Sequence, residues 1–258
     1  MMDTVTVDKV TNVPTVPIFG VPVSRLNMKD TLNVLIQAVE SRRPHQVITA
    51  NPIMVMAALE DPVYMNVMKQ AELIVPDGTG VVWAANYVGH PVPERVAGFD
   101  LLHELLAAGE NYHWKVYLLG STSEVIQATA QRVHELYPGI TVCGKRDGFF
   151  GPKEDEAVIA AIREANPDLL FVARGADTQE PWIGKYKEQL GVPAMMGVGG
   201  SFDVISGRTK RAPKLFQKLR AEWLYRLLKE PSRYKRMLAL PKFAMKVLRE
   251  QENMTKAR

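Results

Sequence analysis

The chain has 258 residues, enough to bury a core and to form one large domain or one domain with an appendage. With 47% hydrophobic and 23% charged residues, it is not a disordered, fibrous or collagen-like chain. The single cysteine, Cys143, cannot form an internal disulfide, and with five scattered histidines it offers no zinc cluster. We therefore predict a reducing, cytoplasmic setting and no bound metal. The sequence also lacks a signal-peptide pattern and any apolar stretch of about 18 residues, so we expect no membrane span.

The formal net charge of +4 conceals an uneven distribution. The segment from Gly207 onward holds 16 of the 32 Lys and Arg residues but only 4 of the 28 Asp and Glu residues. We therefore predict two units, an acidic body of residues 1–207 and a basic helical appendage of residues 208–258. A basic appendage favours an anionic partner, and nucleic acid, a phospholipid surface and a phosphorylated substrate all fit that charge.

Short apolar runs alternate with helix-like stretches through the body. In chain order we predict strands at 18–26, 46–50, 73–75, 116–119, 140–143, 169–173 and 194–198. Helices alternate with these strands. The first is capped by Asn27 or Asp30 and ends near 42, and the others lie at 52–59, 81–87, 124–137, 154–165 and 182–190. This order predicts an α/β fold with a Rossmann-like, mostly parallel sheet flanked by helices. Past residue 207 we predict helices only, at 213–229, 231–240 and 241–251.

Polar and glycine-rich sequences follow the predicted strands at the points where the strands end. The carboxyl ends of parallel strands meet at one edge of a sheet, where ligands bind. We therefore expect one ligand-binding rim, formed by residues 49–52, 77–80, 120–123, 146–149, 175–180 and 197–203.

Asp77 directly follows a buried strand within this rim. Burial would raise its pKa and suit the carboxylate to take a proton from a hydroxyl group. The alternative is that Asp77 or Thr79 caps the next helix. Thr49 and Asn51 lie at another strand end, where capping of a helix that begins at Pro52 is again the alternative.

Gly120 and Ser121 join a strand to a helix, so backbone N–H groups and the helix N-terminus can bind a phosphate there. A glycine turn with a serine cap is the alternative. The spacing lacks the G-x-G-x-x-G and Walker patterns, which argues against a nicotinamide dehydrogenase or a P-loop ATPase. Arg95 can bind pyrophosphate or pair with a glutamate, and Phe149 can stack on a nucleobase or pack internally.

The appendage has the pattern of a basic amphipathic surface. Trp223, Arg226, Arg233 and Arg236 recur at helical spacings among apolar residues, which favours binding to anionic lipid. A helix packed on its own core and a nucleic-acid arm are the alternatives, although no helix-turn-helix, RNP-type or zinc signature supports the arm. The chain lacks Asp-x-Asp, the common motif that holds a divalent metal ion on the diphosphate of a nucleotide sugar. If a diphosphate leaves, its negative charge would therefore have to be met by arginines, backbone amides and a helix dipole.

Seven segments in this order resemble the bacterial WecG/TagA/CpsF glycosyltransferase family, over roughly residues 18–240. They are residues 49–52 (TANP), 76–83 (PDGTGVVW), 93–100 (PERVAGFD), 179–182 (QEPW), 197–203 (GVGGSFD), 211–213 (RAP) and 222–236 (EWLYRLLKEPSRYKR). The resemblance implies inverting, metal-independent transfer of N-acetylmannosamine from UDP-N-acetylmannosamine to the 4-hydroxyl of N-acetylglucosamine on undecaprenyl diphosphate. The product would be a β-1,4-linked disaccharide of wall teichoic acid or a related polymer. The enzyme would work without a cofactor on the inner face of the bacterial plasma membrane.

The resemblance also implies roles for individual residues. Asp77 would be the general base, and the residues that position sugar and phosphate would be Thr49, Asn51, Arg95 and Gln179. Phe149 and Asp203 would hold the uridine. Arg226, Arg233 and Arg236 would close over the site and meet the diphosphate charge.

One segment departs from the family pattern. Where the family commonly has Gly-x-Pro-Lys/Arg-Gln-Glu, this chain replaces the proline and the cation with Asp177 and Thr178. A family member with another UDP-sugar donor is therefore an alternative. A non-catalytic nucleotide-binding protein with a nucleic-acid-binding tail is another. Gln179 and Glu180 are either site residues or the first turn of the next helix. The oligomeric state is open, with a homo-oligomer away from the membrane as one arrangement.

Overall fold

The computed structural model describes residues 13–219 and 221–255. The strands are β1 (Thr15–Ile18), β2 (Val21–Ser24), β3 (His45–Ala50), β4 (Leu73–Pro76), β5 (Lys115–Gly120), β6 (Thr141–Arg146), β7 (Leu169–Ala173) and β8 (Ala194–Gly197). The helices are α1 (Met28–Ser41), α2 (Pro52–Glu60), α3 (Pro62–Gln70), α4 (Thr79–Tyr87), α5 (Gly98–Tyr112), α6 (Ser123–Leu136), α7 (Asp155–Ala165), α8 (Ala176–Leu190), α9 (Ser201–Ile205), α10 (Lys214–Lys218), α11 (Glu222–Lys229), α12 (Tyr234–Met237), α13 (Ala239–Arg249) and α14 (Gln251–Met254). Within these ranges, no helix has the length and apolar character needed to cross a bilayer.

The main sheet has six parallel strands in the order β4-β3-β8-β7-β5-β6. This confirms the predicted α/β fold. The chain runs outward from β3 to β4 on one side and from β5 to β6 on the other, and β7 and β8 then fill the centre. Such a reversal leaves a crevice beyond the carboxyl ends of the central strands, which is where open α/β sheets bind ligands.

Helices cover both faces of the sheet, so successive residues of one strand enter different parts of the core. Leu118 packs with residues of α1, α5 and α6, whereas Leu119 packs with residues of α7 and α8. Ile48 belongs to a third cluster that includes the β1–β2 hairpin, α2, α3 and α4. Burial on both faces explains why the strands read as continuous apolar runs in the sequence.

The prediction of one strand at 18–26 is wrong, because the chain turns back on itself there. β1 and β2 pair antiparallel, with Ile18 opposite Val21. Phe19 and Gly20 form the turn, with φ of 52° and 87°. Two positive φ values are typical of the tight turns that match strand twist in hairpins. The alternation of apolar residues continues through the turn, so periodicity alone could not reveal it.

Helix α8 begins at Ala176, six residues before the predicted start at 182. Pro181 lies inside this helix rather than in its first turn, and the helix therefore includes Gln179 and Glu180. At α1, by contrast, the cap follows one of the two predicted alternatives. The Asn27 side chain accepts the N–H of Asp30 at 2.8 Å.

The appendage is helical, but it is broken more often than predicted. The predicted helix at 213–229 ends at Lys218 and restarts at Glu222, and the predicted helix at 231–240 is a 3-10 turn followed by α12. Among the described residues from 213 to 238, which we call the strap, none is buried. In contrast, α13 buries Phe243 and Val247 in the cluster that contains α2 and α4. The division of the chain at residue 207 stays a prediction.

Candidate active site

A carboxylate and an arginine are joined where β4 ends. The Asp77 side chain is 25% exposed, and its Oδ1 lies 3.0 Å from Arg95 Nη2 and 3.2 Å from Arg95 Nε. Arg95 Nε also donates to the Asp77 carbonyl oxygen. The backbone N–H of Gly98, the first residue of α5, donates to the Asp77 carboxylate. The carboxylate is therefore held in a fixed orientation at a helix N-terminus.

Burial raises the pKa of the Asp77 carboxyl above its ordinary value. The guanidinium of Arg95, the N–H of Gly98 and the charge of Arg226 oppose this effect without cancelling it. A raised pKa makes the ionised carboxylate a stronger base, as proton removal from a hydroxyl requires. The alternative in which Asp77 or Thr79 caps α4 is wrong, because the N-cap of α4 is Gly78.

Two glycines let the end of β3 approach this carboxylate. A Cβ atom on Gly98 would lie 3.0 Å from the half-buried Thr49 side chain, and one on Gly78 would overlap Pro52 and lie 3.0 Å from Asn51. Asn51 Oδ1 accepts two N–H groups of α2, at 3.0 and 3.2 Å. Asn51 thus caps a helix beside the site, and the sugar contacts of Thr49 and Asn51 stay predictions.

The strap contacts Arg95, next to the Asp77 carboxylate. Glu222, the first residue of α11, has a side chain only 15% exposed. It lies 3.1 Å from Arg95 Nη2 and 3.4 Å from Arg211 Nε. Arg211 also pairs with Asp100 at 2.7 Å. One helical turn beyond Glu222, Arg226 is close enough for its charge to favour the ionised form of the Asp77 carboxyl.

The other two predicted tail arginines have different partners. Arg236 Nη2 lies 3.8 Å from Asp177 Oδ1, at the start of α8 on the rim. Arg233 pairs at 2.6 Å with Glu230 of the strap itself. The structure therefore brings Arg226 and Arg236 towards the rim, while Arg233 forms its ion pair within the strap.

The turn after β5 requires an unusual backbone. Gly120 has φ of 123°, and a Cβ atom there would overlap the carbonyl group of Ala173. The N–H of Ser121 donates to that carbonyl at 2.9 Å, and Thr122, not a serine, caps α6. The Ser121 N–H is thus used within the fold, and the phosphate contacts of Gly120 and Ser121 stay predictions.

Phe149 presents an aromatic ring to solvent beside this turn. Its side chain is 77% exposed, and its N–H donates to the Asp147 carboxylate at 3.0 Å. Ser123 donates to the same carboxylate at 2.7 Å, and these bonds lower the pKa of Asp147. The next residue, Phe150, is buried with the Arg174 guanidinium 4.0 Å from its ring centroid. The Phe149 ring is therefore fixed at its backbone and open to stacking.

We expect Phe149→Ala to weaken UDP binding roughly tenfold, because stacking on a base contributes about 1–3 kcal/mol. The free energy of unfolding should stay unchanged, since the ring contacts solvent. Calorimetric titration measures the affinity for UDP, and denaturant unfolding measures the free energy of unfolding. Val63→Ala, at a side chain 71% exposed on α3, is the matched control. Unchanged UDP affinity in the Phe149 variant would remove this residue from the nucleotide site.

Gln179 and Glu180 are buried beneath the central crevice. Gln179 Oε1 accepts the N–H of Gly199 at 3.1 Å and that of Arg174 at 3.3 Å. Gln179 Nε2 donates to Glu180 Oε1 at 3.1 Å, and Gln46 donates to the other carboxylate oxygen at 3.2 Å. Gln179, a residue of α8, thus accepts hydrogen bonds from the residue after β7 and from the loop after β8. Its contact with a substrate stays a prediction.

Burial raises the pKa of Glu180 from 4.5 to about 7, against the opposing hydrogen bonds from Gln179 and Gln46. Between these pH values the folded state keeps a proton that the unfolded state has lost. The free energy of unfolding should therefore fall as pH rises through this window, by up to about 3 kcal/mol. Denaturant unfolding at pH 5 and pH 8 measures the fall. The fall in the free energy of unfolding should be smaller in Glu180→Gln than in the wild type, and unchanged in Glu60→Gln. Equal falls in the wild type and both variants would contradict the raised pKa of Glu180.

Asp203 lies in α9, beyond the end of β8, with a side chain 31% exposed and 3.8 Å from Arg208. Three strand spacings separate β8 from β6, which is roughly 14 Å along the rim. The loop that carries Phe149 turns back towards β5, where the N–H of Gly148 donates to the carbonyl of Ser121 at 2.9 Å. The uridine contacts of Asp203 and Phe149 stay predictions.

Three residues of this region were not predicted. Arg174 directly follows β7, so it belongs to the residues expected at the carboxyl ends of the strands. Arg211 and Glu222 lie in segments that resemble the family, but neither was assigned a role. A signal for Glu222 was available, because it is the only acidic residue between Asp203 and Glu230 in a strongly basic stretch. Among the described residues, no group of three or more His, Cys, Asp or Glu side chains is arranged to hold a metal ion.

A family model described as "Glycosyl transferase WecG/TagA/CpsF family" matches residues 16–257. The chain belongs to this family. The resemblance seen in the seven segments is thus confirmed, and the protein is a glycosyltransferase of the WecG/TagA/CpsF family.

Several relatives of this glycosyltransferase carry the name N-acetylglucosaminyldiphosphoundecaprenol N-acetyl-beta-D-mannosaminyltransferase. The Bacillus spizizenii protein is 39% identical over 210 residues, which is 81% of each chain. The Bacillus subtilis protein is 38% identical over 206 residues, covering 80% of this chain and 79% of the relative. The Staphylococcus aureus strain MW2 protein is 36% identical over 256 residues, covering 98% of this chain and all of the relative.

Proposed function

We propose that this glycosyltransferase moves N-acetylmannosamine from UDP-N-acetylmannosamine to the 4-hydroxyl of N-acetylglucosamine on undecaprenyl diphosphate. The names of the relatives support the sugar and the lipid-linked acceptor. The product would be the β-1,4 linkage unit of wall teichoic acid or a related wall polymer. The observation that carries the proposal is the Asp77 carboxylate, fixed at the end of β4 by Arg95 and by the N-terminus of α5.

In the proposed reaction, Asp77 takes the proton of the acceptor 4-hydroxyl while that oxygen bonds to the anomeric carbon of the donor. The bond from the anomeric carbon to the UDP oxygen breaks, and its electron pair leaves with UDP. A single displacement inverts the anomeric centre, so an α-linked donor gives a β-linked product. Proton removal at this step contributes about 10²- to 10⁴-fold in rate.

Charge on the departing UDP must be met as the bond breaks. Arg95 and Arg226 lie at the Asp77 end of the rim, and Arg236 lies at the start of α8. Guanidinium groups and helix N-termini can neutralise a diphosphate without a metal ion, which is the basis for proposing a metal-independent reaction.

The strap and α13 support work at a membrane surface. They expose apolar side chains among lysines and arginines, namely Leu215, Leu219, Trp223, Leu224, Leu228, Tyr234, Leu238, Met245 and Leu248. Apolar area and positive charge on one surface favour anionic bilayers. We propose peripheral binding to the inner face of the plasma membrane, where the polyprenyl acceptor resides.

A donor screen tests the activity. Full-length protein is incubated with anionic vesicles that carry a lipid-diphosphate N-acetylglucosamine acceptor and with one UDP-sugar at a time, with and without EDTA. We expect release of UDP and a product heavier by one N-acetylhexosamine only with UDP-N-acetylmannosamine, at the same rate in EDTA. Absence of product with every donor would overturn the proposal, and loss of activity in EDTA would overturn metal independence.

A different UDP-sugar donor is the second candidate, favoured by the contacts of Asp177 and Thr178. Thr178 Oγ1 donates to the carbonyl of Gly175 at 3.2 Å, and Asp177 pairs with Arg236 of the strap. These two residues thus shape the rim where the family commonly has a proline and a cation. Product formation with another UDP-sugar in the same screen would favour this candidate.

Neutralising Arg226, Arg233 and Arg236 together to glutamine should lower transfer on vesicles roughly 100-fold. Binding to anionic liposomes should fall as well, because each cation near the surface contributes about 1 kcal/mol. Sedimentation with liposomes and with duplex DNA, in parallel with the transfer assay, measures these effects. Arg25, Lys29 and Arg132, changed together to glutamine on the body, are the control. Tight, salt-sensitive DNA binding with little lipid preference would favour a nucleic-acid arm instead.

A further inference from the structure

The strap approaches the body with little apolar contact. None of its described residues is buried, and α11 has no buried side chain. Among the described residues, the shortest ion pair from the strap to the body joins Glu222 Oε2 to Arg95 Nη2 at 3.1 Å. The pair from Arg236 to Asp177 is longer, at 3.8 Å, and both of its side chains are more than half exposed.

Glu222 is placed where an ion pair is strong. Its side chain is 15% exposed and that of Arg95 is 22% exposed, so water screens the pair less than a surface pair. Its second oxygen faces Arg211 Nε at 3.4 Å, and Arg211 is held in turn by Asp100. One carboxylate thus bridges two arginines that are themselves fixed by the body.

The spacing along α11 links this bridge to the reacting groups. Residues four apart lie on the same face of a helix, so Glu222 and Arg226 point to the same side. Arg226 is the strap arginine whose charge reaches the Asp77 carboxyl. The contact of Glu222 therefore fixes where Arg226 can be.

We infer that Glu222 is a positioning residue, which fastens α11 to Arg95 and Arg211 and so delivers Arg226 to the site of transfer. For its kinetic consequence the inference rests on the proposed glycosyl transfer. Glu222 does not touch the reacting atoms. It acts through Arg226. In a Glu222 variant Arg95 keeps its own hydrogen bonds to Asp77, so the variant should lose what Arg226 contributes.

A double-mutant cycle tests this dependence. In the vesicle assay, Glu222→Gln and Arg226→Gln should each lower kcat roughly tenfold, as expected for the loss of a charge-assisted contact. The double variant should be no slower than Arg226→Gln by more than about twofold, because without Arg226 there is nothing left to position. Glu250→Gln is the matched control, since Glu250 lies on the appendage and pairs at 2.6 Å with Lys246 of α13. Multiplying effects, or an unchanged rate in Glu222→Gln, would overturn the inference.

A distance measurement gives a readout that does not depend on activity. Spin labels are placed on cysteines at Leu228 of the strap and Leu136 of α6, in a Cys143→Ser background. We expect one narrow distance distribution in this background and in Glu250→Gln, and a broad one in Glu222→Gln. A narrow distribution in Glu222→Gln would overturn the inference. If the wild-type chain transfers no sugar, the proposed function fails, and this measurement alone decides whether Glu222 holds the strap.

Discussion

We expect Asp77→Asn to lower kcat for sugar transfer roughly 10³-fold and to leave UDP affinity within about twofold of the wild type. Asparagine keeps the shape of the side chain and can still accept from Arg95 and from the N–H of Gly98, but it cannot take a proton. The uridine is expected at Phe149 and Asp203, and only the diphosphate at the Asp77 end of the rim, so UDP binding should not need the carboxylate. Product formation on vesicles and calorimetric titration with UDP measure the two quantities.

The control for Asp77→Asn is Asp30→Asn, which removes an exposed carboxylate in the first turn of α1. It should transfer sugar at the wild-type rate. A near-normal rate in Asp77→Asn would remove Asp77 from the mechanism, whatever its pKa. Loss of UDP binding in the same variant would instead show that the carboxylate organises the donor site.

Gly120→Ala is expected to lower the free energy of unfolding by about 3 kcal/mol or more. At φ of 123° an L-residue is strained, and the added Cβ atom would overlap the backbone of β7. Because the overlap is with main-chain atoms, no side chain can move aside to relieve it.

Denaturant unfolding measures this loss, and Gly151→Ala is the matched control. Gly151 has an ordinary φ of −109° and no atom within 4 Å of the Cβ position, so its substitution should change the stability little. Equal stability of the two variants would show that the backbone after β5 is not constrained as described.

The fold was predictable because its strands are buried on both faces and separated by amphipathic helices. Strand β7 matches the predicted range. Strands β3, β4 and β8 differ from theirs by one residue at one end, and β5 differs by one residue at each end. The hairpin at Phe19 and Gly20 was not predictable from periodicity, since a tight turn preserves the alternation. The predicted start of α8 was six residues late, although the sequence also allowed Gln179 and Glu180 to be helical.

The prediction that residues at the carboxyl ends of the strands share one rim correctly placed Asp77, Gly120 and Phe149 there, because that prediction depends only on parallel topology. It could not show that Arg95 and Glu222 meet. These residues are 127 positions apart, and their contact depends on how the strap crosses the body. Long-range ion pairs leave no periodic pattern in a sequence, so only the three-dimensional arrangement reveals them.

The N–H of Phe19 in the first hairpin donates to the carbonyl oxygen of Met254 at 2.9 Å. Together with the buried Phe243, this bond returns the end of the chain to the fold after the strap has crossed the rim. The strap is therefore a loop anchored at both ends, and not a free arm. Tethering of this kind gives effective concentrations on the order of millimolar, so the strap stays close to Arg95 even when the ion pair opens. If the proposed transfer holds, the product leaves while the ion pair is open, and the two anchored ends return the strap to the rim for the next turnover.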